Sequence, residues 1–143
     1  MTTLIDAVQN ALKADTEFMQ LLGLTPAATG EQMTARFTKG MEPDIVISAA
    51  TMPHVCQYTQ AGRFGPNPLV YEGKFTLDFY AKSAAAARAF GERAFQVLHD
   101  KRISSPGFAS FLCVLAYDTD AATGIKDVKI FRAFYDVDYL RMN

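Results

Sequence analysis

The residues best suited to chemistry in this chain are three charged side chains whose order matches a pattern of metal-dependent nucleases. Pro43-Asp44 is followed later by Glu72-Gly73-Lys74. In such enzymes the carboxylates hold the metal ion and the lysine polarises the attacking water. The pattern is short, and Glu72 and Lys74 share one face of a predicted strand, where charge is common anyway. A nuclease that uses Asp44, Glu72 and Lys74 is therefore the weaker of the hypotheses that this sequence supports.

The cysteines and histidines form no recognisable metal or nucleophile motif. A structural zinc site needs about four ligands with paired spacings such as Cys-x-x-Cys. His54 and Cys56 stand two apart, whereas His99 and Cys113 lie elsewhere. Both cysteines lie in apolar, strand-like runs, which predicts buried free thiols. We therefore expect no catalytic residue, no metal site and no bound cofactor.

The segment from Gln60 to Pro68 is the other feature that stands out. It holds two glycines and two prolines in nine residues, which is a loop composition. Arg63 and Phe64 stand together in its middle, and both residue types are frequent anchors of protein interfaces. We predict a protruding arm, outside the sheet, that contacts a neighbouring molecule through Gln60, Arg63, Phe64 and Asn67. The competing interpretation is that Phe64 packs into the core of its own chain.

Hydrophobic periodicity predicts the elements that position these residues. A helix capped by Thr3 opens the chain and continues or restarts as far as Leu22. Residues 25–50 show no clear pattern beyond a weak strand from Met33 to Thr38. The remaining predicted elements are a strand from His54 to Thr59, a strand from Leu69 to Lys82, a helix from Ser83 to about Lys101, a strand in which Phe111, Cys113, Leu115 and Tyr117 alternate, and a last strand that ends near Tyr139.

This order of elements predicts an α+β fold, with a mainly antiparallel β-sheet and two α-helices packed on one face. In the strand from Leu69, alternate residues from Phe75 to Ala81 form the packed face, and those from Lys74 to Tyr80 form the other. The opposite, outer face combines aromatic and charged residues, which suits a partly apolar contact with another subunit. Its candidate interface residues are Tyr80, Arg132, Phe134, Asp136 and Asp138.

Length and composition bound the function. The 143 residues fit one domain, spanning 1–143, and half of them are hydrophobic, as in an ordinary globular core. The formal net charge of −1 argues against a free-standing nucleic-acid binder, which normally presents a basic surface. No apolar run approaches the roughly 20 residues of a membrane span. Composition alone thus favours a single globular domain and argues against a free-standing nucleic-acid binder.

Four stretches of the sequence carry a family resemblance. They are the opening helix Leu4–Leu22, the run Pro53-His54-Val55, the run Phe75–Ser83 leading into the alanine-rich helix Ala84–Asp100, and the final run Val128–Tyr139. In these stretches, and over most of its length, the chain resembles the tail-terminator (tail-completion) proteins of long-tailed bacteriophages. The middle, Thr25–Ala50, has no counterpart in that pattern.

The resemblance implies a structural, non-enzymatic role. Such proteins form a hexameric ring that caps the tail tube and joins it to the head connector. The implied partners are further copies of the chain, the tail-tube protein and the head–tail connector protein, while DNA passes through the lumen without specific binding. The implied location is the tail or neck of a virion assembled in the host cytoplasm, with no membrane contact. A head-side connector, a tail-tube subunit and a monomeric binding module remain alternatives.

Overall fold

The chain folds into one six-stranded sheet flanked by helices. The structure, a computed structural model, describes residues 2–141, and no helix in that range is long and apolar enough to cross a membrane. In chain order the elements are α1 (Leu4–Lys13), α2 (Thr16–Leu21), α3 (Gly30–Arg36), β1 (Phe37–Lys39), a short 3-10 helix (Ala49–Thr51), β2 (His54–Phe64), β3 (Val70–Ala81), α4 (Ala84–Leu98), β4 (Lys101–Ser105), β5 (Phe108–Ala121) and β6 (Lys129–Leu140).

The strand order is β1-β2-β3-β6-β5-β4. All neighbouring strands are antiparallel except β1 and β2, which are parallel. The centre is a continuous ladder between β3 and β6, from Val70 opposite Leu140 to Ala81 opposite Lys129. The predicted α+β class and mainly antiparallel sheet are therefore confirmed in part. The sheet is mixed because β1, which follows α3 rather than a hairpin turn, joins its edge in the parallel direction.

One face of the sheet, called the inner face here, packs against the helices and forms the core. Phe18 of α2, Phe79 of β3 and Phe90 of α4 meet there and are at most 2% exposed. The rings of Phe79 and Phe90 stack with centroids 6.0 Å apart, and Phe18 meets Phe90 edge-on at 5.7 Å. Burying each such side chain contributes roughly 2 kcal/mol, so this cluster fixes α2 and α4 on the sheet.

The first predicted helix restarts rather than continues, and α3 adds a helix that was not predicted, so the described residues contain four α-helices, not two. Thr3 and Asp6 form a capping box that begins α1, as the sequence predicted. Asp15 then begins a second helix, because its side chain accepts a hydrogen bond from Phe18 N. Arg93 of α4 donates two further hydrogen bonds to the same carboxylate, at 2.6 and 2.8 Å. This ion pair lowers the pKa of Asp15 and connects α2 to α4.

The middle of the chain, 25–50, holds the third helix. Thr29 and Gln32 form a second capping box, which begins α3 at Gly30. Met33 to Arg36 is therefore helical, and the weak strand predicted there is confirmed only for Phe37 and Thr38. Thr29 and Gln32 are three residues apart, which is the spacing of a capping box, so the sequence did indicate a helix start here. The prediction of a strand from alternating residues overlooked it.

Candidate interaction surfaces

The predicted arm is part of the sheet. Strand β2 continues to Phe64 and pairs with β3, placing Arg63 opposite Glu72 and Phe64 opposite Tyr71. The prediction that residues 60–68 stay outside the sheet is therefore wrong for Gln60 to Phe64. The glycine at position 62 serves a close approach of two strands, since a Cβ there would lie 2.6 Å from the Tyr71 ring and 2.7 Å from the Glu72 carbonyl oxygen.

The tip of this hairpin is held by its own turn. Gly65 N donates to Val70 O, and Leu69 N donates to the Asn67 side-chain oxygen at 3.0 Å. Asn67 thus shapes the turn, whatever further contact it makes. Strand β6 pairs with β3 as far as Val70, so the hairpin is supported on that side and only its β2 side is open.

The two central residues of the hairpin are exposed. Phe64 is 47% exposed and meets the Tyr71 ring edge-on, with centroids 5.2 Å apart. The Arg63 side chain is 84% exposed, and its Nε donates to Glu72 at 3.2 Å. Gln60 is also exposed. Phe64 lies outside the buried core, so the competing interpretation, in which it fills the core of its own chain, does not describe this structure.

The outer face is buried around Asp78, in contrast to the wet or interfacial surface that alternation predicted. Thr76 is fully buried and Asp78 is 2% exposed. Arg132 on β6 donates to both Asp78 oxygens, at 2.6 and 3.2 Å, and the Tyr58 hydroxyl donates to one of them. Arg132, predicted as an interface residue, is thus committed to a pair within the chain. Tyr80 beside it is half-buried, and burial raises its pKa to about 12.

Next to this cluster, β1 and the segment after it cover His54. The His54 Nδ1 lies 3.1 Å from the Ala35 carbonyl oxygen, and Nε2 lies 2.7 Å from the Thr38 hydroxyl. A carbonyl only accepts, so Nδ1 carries the proton and Nε2 accepts from Thr38. Burial lowers the pKa of His54, which keeps the ring neutral. Asp44 sits at this end of the sheet, where its backbone N–H donates to Thr38 at 3.1 Å.

The residues of the nuclease pattern do not come together. His54, beside Asp44, lies opposite Tyr80, and Lys74 is six residues further along β3, roughly 20 Å away at the rise of a strand. Lys74 pairs with Asp136 at 2.8 Å, and Glu72 pairs with Arg63. In the range 2–141, no group of three or more His, Cys, Asp or Glu side chains could hold a metal ion.

Both cysteines are free and buried, as predicted. Burial raises the pKa of the Cys56 and Cys113 thiols to about 12, because the charged thiolate is disfavoured away from water. Neither thiol is therefore activated as a nucleophile. The ring of His99 accepts a hydrogen bond from Leu115 N at 2.9 Å. This histidine therefore holds β5 just beyond Cys113, where the pairing of β5 with β4 ends.

Towards β5 the outer face is exposed and partly apolar. Tyr117 stacks on Phe134 at 4.4 Å and is 61% exposed, and Val114 and Leu112 continue the exposed surface. Alternation had placed Tyr117 on the same face as Cys113 and Leu115. An irregularity between Leu115 and Tyr117 reverses this, because one extra residue in a strand shifts the following side chains to the other face.

The two carboxylates predicted on the outer face differ in their surroundings. Asp136 is held by the ion pair with Lys74. Asp138 lies opposite Glu72. Partial desolvation raises the pKa of Asp138, and the neighbouring carboxylates of Glu72 and Asp136 raise it further. Of the predicted outer-face residues, Asp138 is exposed, whereas Tyr80, Arg132, Phe134 and Asp136 are half-buried. Arg132 differs from the others in being paired with the buried Asp78.

Sequence reasoning missed two open strand edges. Within residues 2–141, β1 covers the edge of β2 only at Val55, Cys56 and Gln57. Strand β4 likewise covers β5 only as far as Cys113. Two stretches, Tyr58–Phe64 of β2 and Val114–Ala121 of β5, thus have no strand partner on one side in the described structure. No signal in the sequence marks an open edge, because it depends on how far a spatial neighbour extends.

Comparisons with known proteins bear on the fold. No protein-family model matches the chain, and no curated protein matches its sequence. Among solved structures, the chain is similar to a chain of the "Virion of native gene transfer agent (GTA) particle", with a TM-score of 0.71 and 13% sequence identity. The similarity covers 96% of this chain and 95% of that chain. At this level of identity, the two chains share a fold over nearly their whole lengths.

Proposed function

We propose that this chain is a structural subunit of a virion, and more specifically a subunit of the ring that caps a tail tube and joins it to the head connector. The observation that carries the proposal is the shared fold, over 96% of this chain, with a chain of a gene transfer agent virion. The sequence resemblance to tail-terminator proteins points independently to the same class.

The distribution of exposed apolar groups supports a ring subunit. Phe64 and Leu69 are about half exposed at the hairpin tip, whereas Val114 and Tyr117 are exposed near the opposite edge of the sheet. A closed ring built by rotation uses two different surfaces of each subunit, one for each neighbour. Two separate apolar surfaces on one domain suit such a head-to-tail arrangement.

The charge of the chain agrees with a wall around passing DNA. A protein that holds DNA by its phosphates carries clustered lysine and arginine. Here the formal net charge is −1, and several basic side chains are paired with carboxylates, as in Lys74–Asp136 and Arg88–Asp120. Such a surface would let DNA slide past with little electrostatic retention.

The test is to assemble particles without this chain. A subunit that caps the tube and joins it to the head leaves separate heads and tails of irregular length when it is missing, and adding the purified chain restores joined particles. Heads that lose their DNA would instead indicate a head-side connector, and a complete lack of tails would indicate a tube subunit. Electron microscopy distinguishes these three outcomes.

The same assay tests the nuclease alternative. The triple variant Asp44→Ala, Glu72→Ala, Lys74→Ala should restore joined particles as well as the wild-type chain does, because these residues lie apart in the structure. Magnesium-dependent nicking of DNA by the purified wild-type chain, lost in the triple variant, would establish an enzyme and refute the structural role.

A further inference from the structure

We propose that the sheet continues from one copy of this chain to the next. In this arrangement the open edge of β2, Tyr58–Phe64, pairs in the antiparallel direction with the open edge of β5, Val114–Ala121, in a second copy. The inference rests on the proposed function, because it specifies how the subunits of the ring meet.

Both edges are largely available, although each stretch carries one strand irregularity and the Leu115 N–H already donates to His99. All but two residues of Tyr58–Phe64 are exposed, and all but two of Val114–Ala121. An unpaired edge exposes a row of backbone donors and acceptors, which proteins usually shield with proline, lysine or a covering segment. Neither stretch contains proline or lysine. Both edges are therefore suited to accept another strand.

The strand directions fit a head-to-tail ring. From one open edge to the other the order is β2, β3, β6, β5, and each neighbouring pair is antiparallel. Strand directions thus alternate across an even number of strands. A second copy placed alongside by rotation about an axis near the strand direction presents its β2 antiparallel to β5 of the first. The alternation then continues through every copy until the ring closes.

The two open stretches also match in length and position. They comprise seven residues of β2 and eight of β5, read from their bounds. Within one copy, Tyr58 shares a row with Thr76, Phe134 and Tyr117. If Tyr58 of a second copy lies opposite Ala121 rather than opposite Tyr117, the second copy is displaced along the strand direction by 121 − 117 = 4 residues. This displacement is roughly 13 Å.

This stagger removes the obstruction by the two edge strands. Strand β1 of the second copy then lies beyond Ala121, and β4 of the first copy lies beyond the end of β2 at Phe64. A register offset between neighbouring units is required wherever tilted strands close into a ring. In the same register Phe64 falls opposite Leu115 and next to Val114, so its half-exposed ring is covered on assembly.

The charges of the two edges are complementary. The β2 stretch carries one basic residue, Arg63, and no acid, whereas the β5 stretch carries Asp118 and Asp120 and no base. Arg63 is 84% exposed and so remains accessible to a neighbour despite its contact with Glu72. Opposite charge on the two edges favours pairing of β2 with β5 over pairing of either edge with its own copy.

Proline variants test the pairing. Successive backbone N–H groups of a strand point to opposite sides. Of Asp118→Pro and Thr119→Pro, one therefore removes a donor from the open edge of β5, and the other removes a bond to β6. The variant that keeps the melting temperature of the monomer is the edge variant, and its neighbour is the matched control for general damage. Thr59→Pro and Gln60→Pro form the equivalent pair for β2.

The decisive measurement is the mass of mixed samples by analytical ultracentrifugation. The wild-type chain should form rings at high concentration, and each edge variant alone should be monomeric. An equal mixture of the β2-edge and β5-edge variants should form dimers and nothing larger, since only one competent contact remains. Edge variants that form rings of wild-type mass overturn the pairing and leave the ring function intact. A wild-type chain that stays monomeric up to millimolar concentration also overturns it, and the particle assembly assay then judges the proposed function separately.

Discussion

At the scale of single residues, a substitution of Phe64 is expected to weaken assembly of the ring while leaving folding of the monomer almost unchanged. Its ring is 47% exposed and contacts Tyr71, so Phe64→Ala should lower the free energy of unfolding of the monomer by no more than about 1 kcal/mol. If the ring is an interface anchor, the same change weakens each contact by on the order of 2 kcal/mol. Ring formation should therefore fail while the melting temperature barely changes, as thermal denaturation and sedimentation would together reveal.

The control for this variant is Phe75→Ala. Phe75 is fully buried and stacks on Tyr135, so its loss should cost about 3 to 5 kcal/mol of monomer stability. A Phe64→Ala chain that is destabilised as much as Phe75→Ala, or that assembles as well as wild type, would contradict the interface role of Phe64.

The ion pair between the buried carboxylate of Asp78 and the partly exposed Arg132 predicts that removing the arginine alone costs more stability than removing both charges. Arg132→Ala leaves a carboxylate that is 2% exposed without its positive partner, which should cost about 3 kcal/mol. The double variant Asp78→Asn, Arg132→Met should cost less, because no uncompensated charge remains. Urea denaturation measures both. Lys74→Ala, which breaks the half-exposed pair with Asp136, is the control and should cost at most about 1 kcal/mol.

Asp6 predicts a dependence of stability on pH. A hydrogen bond from Lys39, and then those from Thr3, lower its pKa from 3.8 to about 2. Because the folded pKa is the lower one, the stabilisation is present above pH 3.8 and is lost as the pH falls through about 2. Asp6→Asn should thus cost on the order of 1 kcal/mol at neutral pH after screening by solvent.

The check on Asp6 is the difference between wild type and variant measured at several pH values. That difference in the free energy of unfolding should shrink between pH 3.8 and 2. A difference that stays constant over this range would mean that the carboxylate contributes through shape rather than charge. Lys39→Met should reduce the same pH dependence, since Lys39 is the largest cause of the shift.

At the scale of elements, the packing of α4 on β6 depends on Gly91. A Cβ at this position would overlap the edge of the Phe131 ring. Alanine normally favours a helix over glycine by up to about 1 kcal/mol, yet Gly91→Ala should destabilise the fold by about 1 to 3 kcal/mol because of this overlap. Calorimetry of the single variant and of Gly91→Ala with Phe131→Ala tests the cause, since the smaller residue at 131 removes the clash.

Gly30→Ala provides the matched control for Gly91→Ala. A Cβ at Gly30, the first residue of α3, would meet no atom within 4 Å, so this change should be neutral or slightly stabilising. If both glycine variants change the stability of the fold by the same amount, helix propensity rather than close packing determines the effect. The contact between α4 and Phe131 would then not require a glycine at position 91.

Elements with a strict period were predictable from the sequence. Strand β3, helix α4 and strand β6 were placed to within a few residues, because each buries one regular face against the core. The prediction went wrong where local structure depends on a spatial neighbour. Gly62 indicated a loop but serves the approach to Tyr71, and the irregularity before Tyr117 shifted its face. Strand β4 was missed because it has only five residues and is joined to β5 by a turn of two residues, Pro106 and Gly107.

The candidate surfaces were predictable to a similar extent. Exposure of Phe64 and Arg63 followed from their place between glycines and prolines, and Phe134 and Asp136 followed from alternation on β6. The burial of Asp78 with Arg132 did not follow, since it requires Tyr58 from a strand distant in sequence. The open edges of β2 and β5 were likewise out of reach, because they arise from the short lengths of β1 and β4.

At the scale of the whole molecule, the described residues combine a packed core with several exposed surfaces. The core holds fully buried phenylalanines under the helices. The exposed features, the hairpin tip, the Tyr117–Phe134 surface and two open strand edges, are all suited to contact with proteins. A head-to-tail contact that closes gives a ring, and one that fails to close gives a filament, so closure is the property that matters most.

The most direct test of this account is a reconstruction of the assembled particle at a resolution that traces side chains. We expect a closed ring of copies of this chain, six by the family resemblance, between the tail tube and the head connector, with the Phe64 hairpin of each copy against its neighbour. Isolated single copies of the chain in the particle, or copies whose hairpins face solvent, would contradict it.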